Sequence, residues 1–208
     1  MKKIQIIGVS GHIGSGKDAF AEILATISNV PVERHAFADK VKDVTELMVG
    51  YKMSLTHPIG QPFYNNVYNY TQDDKNVYLP LWDKTIGQCL QLIGTELFRD
   101  NFDSDTWVKA LFSTTGKKCI ENGHILIIPD VRFPNEADAV LERGGIVIRL
   151  EGDPLEIRRK SKRDLNHISE TALDNYTKFT KIIKNEIPNI ELFKKEVKSI
   201  YEGFVLNY

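Results

Sequence analysis

The stretch that most restricts the fold of this chain is residues 4–18, which read IQIIGVSGHIGSGKD. Its first half is apolar and largely β-branched, which predicts a buried strand that ends in glycines. Beyond it, apolar side chains recur at helical spacing, at Phe20, Ile23, Leu24 and Ile27. A strand, a glycine-rich turn and a helix in this order form the context in which the pattern GxxxxGK binds phosphate. We therefore predict a phosphate-binding loop between the strand and the helix.

The predicted loop comprises Gly11, His12, Ile13, Gly14, Ser15, Gly16, Lys17 and Asp18. Its glycines allow the backbone to aim several N–H groups at one anion, and the helix adds the positive end of its dipole. Lys17 is long enough to reach the β- and γ-phosphates. At the last position, where a Ser or Thr hydroxyl normally meets magnesium, this chain has Asp18. We predict that Asp18 is a magnesium ligand; the alternative is that it only caps the helix.

Composition narrows the class of protein. The chain has 208 residues, enough for one domain with a sizeable insertion, and 42% of them are hydrophobic. Its 27 basic and 28 acidic residues give a net charge of −1, which argues against nucleic-acid and membrane-surface binding. Cys89 and Cys119 have no metal-binding spacing, and two lone thiols are typical of a reducing compartment. With no apolar stretch long enough for a membrane span, we expect a soluble cytoplasmic protein.

Apolar strands alternate with amphipathic helices along most of the chain. We expect strands near residues 4–9, 36–38, 124–128, 146–150 and 179–184, which indicates a parallel sheet with helices on both faces. Residues 51–82 interrupt this rhythm, because they are polar, rich in Tyr and Asn, and contain Pro58, Pro62 and Pro80. We predict a long excursion from a single domain, with a small hairpin near residues 66–70. Its tyrosines either stack on a base or pack an irregular loop or a subunit contact.

Several charged residues follow the ends of predicted strands, where ligands bind in parallel sheets. The loop, Asp39, Asp130 and Arg132 should therefore meet at one edge of the sheet. An acidic residue at the end of an apolar strand typically holds magnesium in phosphate-loop enzymes, which makes Asp130 a second candidate ligand. The alternative for Asp130 is a carboxylate that caps the turn after the strand.

Two further basic features need a local explanation in a charge-balanced chain. Residues 158–163 read RRKSKR, and such a run is either a solvated helix face or a mobile arm that brings arginines over transferring phosphates. Arg99 ends a predicted helix, where it either complements the helix dipole or grips an acceptor phosphate with two hydrogen bonds.

Seven segments, taken together and in order, resemble the deoxynucleoside monophosphate kinases of tailed bacteriophages and their bacterial relatives. They are SGKD, FADKVK, LQLIGTELFR, Trp107, PDVRFPNEAD, GGIVIRLE and HISE, and they extend from Ile4 to about Thr171. The resemblance is weakest in residues 51–82. It implies transfer of the γ-phosphoryl of ATP, with Mg²⁺, to a deoxynucleoside monophosphate, in the host cytoplasm if the protein is phage-encoded. It also implies a three-layer α/β P-loop kinase fold with a five-stranded parallel sheet, a substrate-binding arm and a lid.

The resemblance also implies roles for individual residues. The predicted substrate-binding set is Phe37, Asp39, Lys42, Gln91, Arg99, Trp107, Asp130 and Arg132. The predicted catalytic set is Lys17, Asp18, Arg132, Arg158 and Arg163, with Arg159 as a further lid residue. Within one domain of residues 1–208, the arm corresponds to residues 51–82 and the lid to residues 153–170. A homodimer is expected from the family and from the aromatic-rich segment.

Two other functions stay open on the sequence alone. The first is a kinase for another small phosphorylated acceptor such as phosphomevalonate, because some of those enzymes share the GKD ending. The second is a non-enzymatic nucleotide-binding switch. A switch would need a water-positioning Gln or its equivalent, for which the sequence has no clear candidate, and it would leave the lid arginines unexplained.

Overall fold

The computed structural model describes residues 4–57, 67–160, 165 and 167–206 of the chain. Its strands, in chain order, are β1 (Ile6–Gly11), β2 (Val32–Arg34), β3 (Ser54–His57), β4 (Val67–Asn69), β5 (Tyr78–Leu79), β6 (Lys84–Thr85), β7 (Ile125–Val131), β8 (Ile146–Glu151) and β9 (Lys181–Lys184). Its helices are α1 (Lys17–Ile27), α2 (Asp39–Val49), α3 (Gln72–Asn76), α4 (Ile86–Gln91), α5 (Thr106–Ser113), α6 (Thr115–Glu121), α7 (Pro134–Glu142), α8 (Ile157–Lys160), α9 (Ile168–Thr171) and α10 (Ile190–Ile200). π-Helical turns extend α4 through Leu92–Asp100 and α10 through Tyr201–Leu206.

Five strands form the central sheet in the order β2-β7-β1-β8-β9, and every neighbouring pair is parallel. The predicted five-stranded parallel sheet is therefore confirmed. β1 lies at its centre, between β7 and β8, so the loop that follows β1 emerges at the middle of one sheet edge. This position explains the unbroken apolar character of β1 and β7, since each is covered on both faces.

Two apolar cores cover the two faces of the sheet. On one face, α1 and α10 pack on Ile7, Val9, Ile127 and Ile148 through a first core that contains Phe20, Leu24, Phe193 and Val197. On the other face, the side chains that alternate with these strand residues, such as Ile6 and Ile128, contact α2, α5 and α7. Helices on both faces give the predicted three-layer fold.

The second strand ends earlier than the sequence predicted. β2 stops at Arg34, and residues 36–38 form the turn that leads into α2. The physical reason is that the backbone N–H groups of this turn pair with carboxylates instead of a neighbouring strand. Asp39 accepts from Ala36 N at 2.7 Å, and Asp130 accepts from Phe37 N and Ala38 N, each at 2.9 Å.

Residues 51–82 contain more regular structure than the sequence indicated. β4 falls within the predicted hairpin at residues 66–70, but it pairs with β3, and α3 and β5 follow. Tyr70 is buried and donates a hydrogen bond to the Tyr51 carbonyl at 2.7 Å, while Tyr51 bonds Asp74 at 3.0 Å. These tyrosines therefore pack the arm, which is one of the two roles considered for them. Helix α6 was not predicted, because Gly116 near its start is a poor helix former.

The predicted lid segment begins with a capped turn. Asp153 accepts hydrogen bonds from Ile157 N at 2.7 Å and from Arg158 N at 2.8 Å, which stabilises the start of α8. Residues 161–164 and 166, which include the predicted catalytic residue Arg163, lie outside the described part of the chain. In the described part, the structure contains no helix that meets the length and hydrophobicity of a membrane span.

Candidate active site

A cleft of about 1060 Å³ opens at the carboxyl edge of the sheet, between the loop after β1, the start of α2, helix α4 with its π-helical extension, and the end of β7. The structure brings together in its lining the predicted site residues Ile13, Gly14, Gly16, Lys17, Asp18, Phe37, Lys42, Gln91, Arg99, Trp107, Asp130 and Arg132. Six other predicted residues do not line it, namely Gly11, His12, Ser15, Asp39, Arg158 and Arg159.

The loop has the backbone geometry that an anion site requires. Gly14 and Gly16 have φ angles of 83° and 96°, in the left-handed region that favours glycine. A Cβ at Gly14 would lie 2.3 Å from an Asp153 carboxylate oxygen, and one at Gly16 would lie 2.8 Å from Asn185 Nδ2. The loop is therefore shaped both by its own conformation and by close neighbours in the segments that follow β8 and β9.

Lys17 folds back over this loop. Its Nζ donates hydrogen bonds to the Gly11 and His12 carbonyls, both at 2.8 Å. Burial, with the nearby Arg132 guanidinium as the next cause, lowers the pKa of Lys17 to about 8. A bound phosphate would stabilise the charged ammonium form of Lys17.

Two polar residues that the sequence analysis missed support the loop from behind. Asn185 donates to the Ser15 carbonyl at 3.0 Å. Arg149 is buried on β8 and contacts Ser10 Oγ at 3.1 Å and His12 Nε2 at 3.2 Å. Burial, followed by the charges of Arg158 and Arg149, lowers the pKa of His12. An arginine in the middle of the apolar run IVIRLE was a signal that could have indicated this role.

The two predicted metal ligands have different surroundings. Asp18 is the second residue of α1, its side chain is 80% exposed, and its carboxylate lies 3.6 Å from Arg34 Nη2. Asp130 instead uses both carboxylate oxygens to accept the Phe37 and Ala38 amides. Asp130 thus caps a turn, but it is the turn after β2 and not the one after its own strand, while Asp18 presents an accessible oxygen to the cleft.

Three neighbours fix Arg99, which lines the cleft. Its guanidinium lies 3.6 Å from the centre of the Phe133 ring, it donates to Asn135 Oδ1 at 3.1 Å, and it pairs with Glu136 at 3.4 Å. Its position near the end of a π-helical segment is one where functional residues are frequent. Arg99 therefore contacts specific partners beyond the helix dipole.

Lys42 and Trp107, which also line the cleft, each bond to another residue of the protein. Lys42 is buried and pairs with Asp39 at 2.8 Å. Burial opposes ionisation of Asp39, but the charges of Lys42 and Arg34 lower the pKa of this carboxyl. Trp107 Nε1 donates to the Gly94 carbonyl at 2.8 Å.

Two buried acidic residues of this cleft were missed by the sequence analysis. Glu136 is only 4% exposed and accepts from the backbone amides of Arg132 and Phe133. Glu170, in the HISE motif, pairs with Arg132 at 2.6 Å. Both line the cleft, and both contact a residue that the sequence had already marked as basic and functional. Pro134 followed by Glu136 is typical of a helix start, but the sequence does not show that the Glu136 side chain is buried.

The two described arginines of the predicted lid differ in their surroundings. Arg158 lies near enough to His12 for its charge to contribute to the lowered pKa of that imidazole. Arg159 is 80% exposed and lies 3.7 Å from Glu156 on the same turn. Of these two residues, Arg158 is the one beside the loop.

A parallel sheet of this order, with a phosphate-binding loop after its central strand and basic residues across the adjoining cleft, defines a P-loop kinase. The sequence model of a family described as deoxynucleotide monophosphate kinase matches residues 65–197. The chain belongs to this family, so the predicted family is confirmed. It is a phosphotransferase that phosphorylates deoxynucleoside monophosphates, and neither the switch nor the phosphomevalonate-type kinase is retained.

Individual relatives agree with this assignment. A protein of Acanthamoeba polyphaga mimivirus, provisionally named a deoxynucleotide monophosphate kinase, is 27% identical over 213 residues, covering 95% of this chain and 96% of the relative. The deoxynucleotide monophosphate kinase of Enterobacteria phage T4 is 32% identical over 90 residues, covering 43% of this chain and 34% of the relative. Shikimate kinase from Aquifex aeolicus aligns with a TM-score of 0.51 at 17% identity, covering 98% of this chain and 99% of that one, which shows the shared fold.

The lowered pKa of Lys17 predicts a pH dependence of nucleotide binding. Above a pKa of about 8 the empty protein loses the Lys17 charge, while bound phosphate favours it, so affinity for ATP should fall as pH rises. The fall should approach about tenfold per pH unit. Titration calorimetry between pH 7 and 9.5 measures it. In Lys17→Arg the cation does not titrate, so this slope should vanish even if binding is weaker. An equal slope in both proteins would assign it to another group.

Proposed function

We propose that this protein transfers the γ-phosphoryl group of ATP to the 5′-phosphate of a deoxynucleoside monophosphate, with Mg²⁺ as cofactor. The observation that carries the proposal is a single cleft with cations from separate elements. Lys17 lies at the loop, Lys42 comes from α2, Arg99 comes from the π-helical extension of α4, and Arg132 follows β7 and interacts electrostatically with Lys17. Phosphoryl transfer between two nucleotides requires such a distribution, because negative charge must be held on both sides of the transferred group.

On the donor side, the backbone amides of the glycine loop and the N-terminus of α1 bind the ATP phosphates. Lys17 leaves its two loop carbonyls and reaches the β- and γ-phosphates. Asn185 and Arg149 keep the loop in place through Ser15 and His12. The donor subsite is therefore built before the nucleotide arrives, which reduces the cost of ordering it on binding.

On the acceptor side, Arg99 binds the phosphate of the monophosphate. A guanidinium makes two parallel hydrogen bonds to such a group, and Arg99 is already fixed by Phe133, Asn135 and Glu136. Lys42, which lines the same cleft, adds a second positive charge. An acceptor oxygen held in this way can attack in line with the leaving group, and no covalent intermediate with the protein is needed.

The residues present fit a magnesium ion that is bound jointly by the protein and the substrate phosphates, instead of one held by the protein alone. The described residues contain no group of three or more His, Cys, Asp or Glu arranged to hold a metal. Asp18 offers an exposed carboxylate beside the loop, and Mg²⁺ typically takes one or two carboxylates together with substrate phosphates and water. We propose Asp18 as the main protein ligand, with Asp130 in a supporting role. The bound ion neutralises charge on the phosphates.

The lid closes over the phosphates through Arg158, which already lies beside the loop. Closure excludes water, and positive charge near the equatorial oxygens stabilises the transition state. Formation of a homodimer stays a prediction, which sedimentation of the purified protein tests.

Replacing Arg99 should weaken binding of the acceptor selectively. In Arg99→Ala the KM for the monophosphate should rise by about tenfold or more, since a hydrogen bond to a charged group contributes roughly 1.5–3 kcal/mol. The KM for ATP should change little. Arg143→Ala is a matched control, because Arg143 also lies over a phenylalanine ring, 4.3 Å from the centre of Phe112, outside the cleft. Initial rates at varied acceptor and ATP measure both constants; an equal rise in both would remove the assigned role.

Replacing Asp18 should raise the magnesium requirement. Asp18→Asn keeps a side-chain oxygen but loses the charge that attracts the ion, so half-maximal rate should need several times more free Mg²⁺. Stability should change little, because the side chain is exposed. Glu22→Gln, at an exposed position on the same helix, is the control. Rate measured against free Mg²⁺ decides the role, and an unchanged requirement in Asp18→Asn would leave helix capping as its only role.

The two described lid arginines should contribute unequally to turnover. Arg158→Gln should lower kcat by about tenfold or more, since arginines that stabilise transferring phosphate contribute on the order of 10³ or more in other phosphotransferases. Arg159→Gln serves as the matched comparison, because its side chain is exposed and pairs with Glu156. Steady-state kcat at saturating substrates provides the measurement. Equal effects of the two substitutions would favour a solvated basic helix over a lid.

A further inference from the structure

We propose that Glu136 is a positioning residue for the phosphoryl acceptor, whose buried carboxylate fixes Arg99 and the backbone of Arg132. This inference rests on the proposed role of Arg99 in binding the acceptor phosphate. Glu136 is the third residue of α7, and it lines the cleft although its side chain is only 5% exposed.

The two oxygens of Glu136 contact different groups. Oε2 accepts hydrogen bonds from Arg132 N at 2.8 Å and from Phe133 N at 3.1 Å, which fixes the chain where β7 turns into α7. Oε1 lies 3.4 Å from Arg99 Nη1. Capping of α7 needs only one oxygen, so the second is available to hold an arginine that comes from a different helix.

The other contacts of Arg99 come from the same short segment. Phe133 lies under its guanidinium plane, and Asn135 Oδ1 accepts a hydrogen bond from Nη2 at 3.1 Å. Asn135 is in turn held through its Nδ2, which donates to Asp105 Oδ1 at 2.7 Å. Residues 133–136 thus supply the contacts that hold Arg99 in place, and Glu136 is the charged residue among them.

The charges that face Glu136 make its contact with Arg99 sensitive to pH. They are Asp130, which disfavours the carboxylate, and Arg99, which favours it, while the amides of Arg132 and Phe133 also favour it. Burial is the largest cause and Asp130 the second, and they raise the pKa of Glu136 to about 7. A proton on Oε1 would turn this oxygen into a donor that faces the donors of the Arg99 guanidinium, and the contact would be lost. Arg99 would then no longer be held in place, and binding of the acceptor would have to fix its conformation.

The test begins with Glu136→Gln, which keeps the size of the side chain and an oxygen for the two backbone amides. The KM for the monophosphate should rise by about tenfold at pH 8, within the range for coupling between contacting residues, and the KM for ATP should stay nearly constant. The matched control is Asp138→Asn on the same helix, whose carboxylate bonds Tyr176 at 2.8 Å instead of a residue of the cleft. An unchanged acceptor KM in a folded Glu136→Gln protein would overturn the inference.

A double-mutant cycle separates positioning from a direct role. If Glu136 acts through Arg99, the double variant Arg99→Ala with Glu136→Gln should bind the acceptor no more weakly than Arg99→Ala alone. Additive losses would overturn the inference. If Arg99→Ala itself leaves the acceptor KM unchanged, it is the proposed acceptor role of Arg99 that fails. If that KM rises but Glu136→Gln has no effect, only the positioning role fails.

The pH profile supplies a readout that loss of a purely structural contact would not give. Wild-type kcat/KM for the acceptor should fall as pH drops from 8 to 6, in part because a phosphate monoester is itself protonated near pH 6. In Glu136→Gln, only the part of this fall that comes from protonation of the substrate phosphate should remain. Arg99→Ala should also lose the part of the fall that comes from protonation of Glu136, because the residue that Glu136 holds is then absent. This variant keeps the test decisive if Glu136→Gln fails to fold. Profiles of one shape in wild type and Arg99→Ala would overturn the inference.

Discussion

The cleft depends on carboxylates that accept hydrogen bonds from backbone amides where the chain leaves the sheet or enters a helix. Asp130 accepts from Phe37 and Ala38, Glu136 accepts from Arg132 and Phe133, and Asp153 accepts from Ile157 and Arg158. In each case a negative charge lies at the start of a helix, where the dipole and unpaired N–H groups favour it. These contacts place the start of α2, the start of α7 and the start of α8 around one cavity.

The sequence predicted the framework well because its signals are local. The apolar runs of β1 and β7, the helical spacing in α1 and the glycines of the loop each depend on residues close together in the chain. They were enough for the order of elements, the parallel sheet and the phosphate-binding loop. The same local character explains the error at β2, whose apolar continuation through residues 36–38 resembled more strand.

The roles of acidic residues were harder to predict, because they depend on partners distant in sequence. Whether Asp130 binds a cation or an amide is decided by the turn at residues 36–38, more than ninety positions earlier. Glu136 appeared only as a letter of the motif PNEAD, and its burial against Arg99 requires the packing of the π-helical segment on α7. Sequence could predict where charged residues gather, but not which of them face one another.

Pairing in the cleft gives the site a further property. Three cations of the cleft each have a carboxylate partner, namely Lys42 with Asp39, Arg99 with Glu136, and Arg132 with Glu170, whereas Lys17 bonds two backbone carbonyls. Asp39 and Glu136 are tied to backbone amides, so they stay in place when a phosphate arrives. The phosphate must therefore add to cations that are already held, instead of displacing their partners. A dianionic group gains more from these cations than a monoanion does, because Coulomb energy scales with the charge of the ligand, although the paired carboxylates reduce the gain for both. The arrangement thus favours a phosphorylated acceptor over an acceptor that carries only a carboxylate or a hydroxyl.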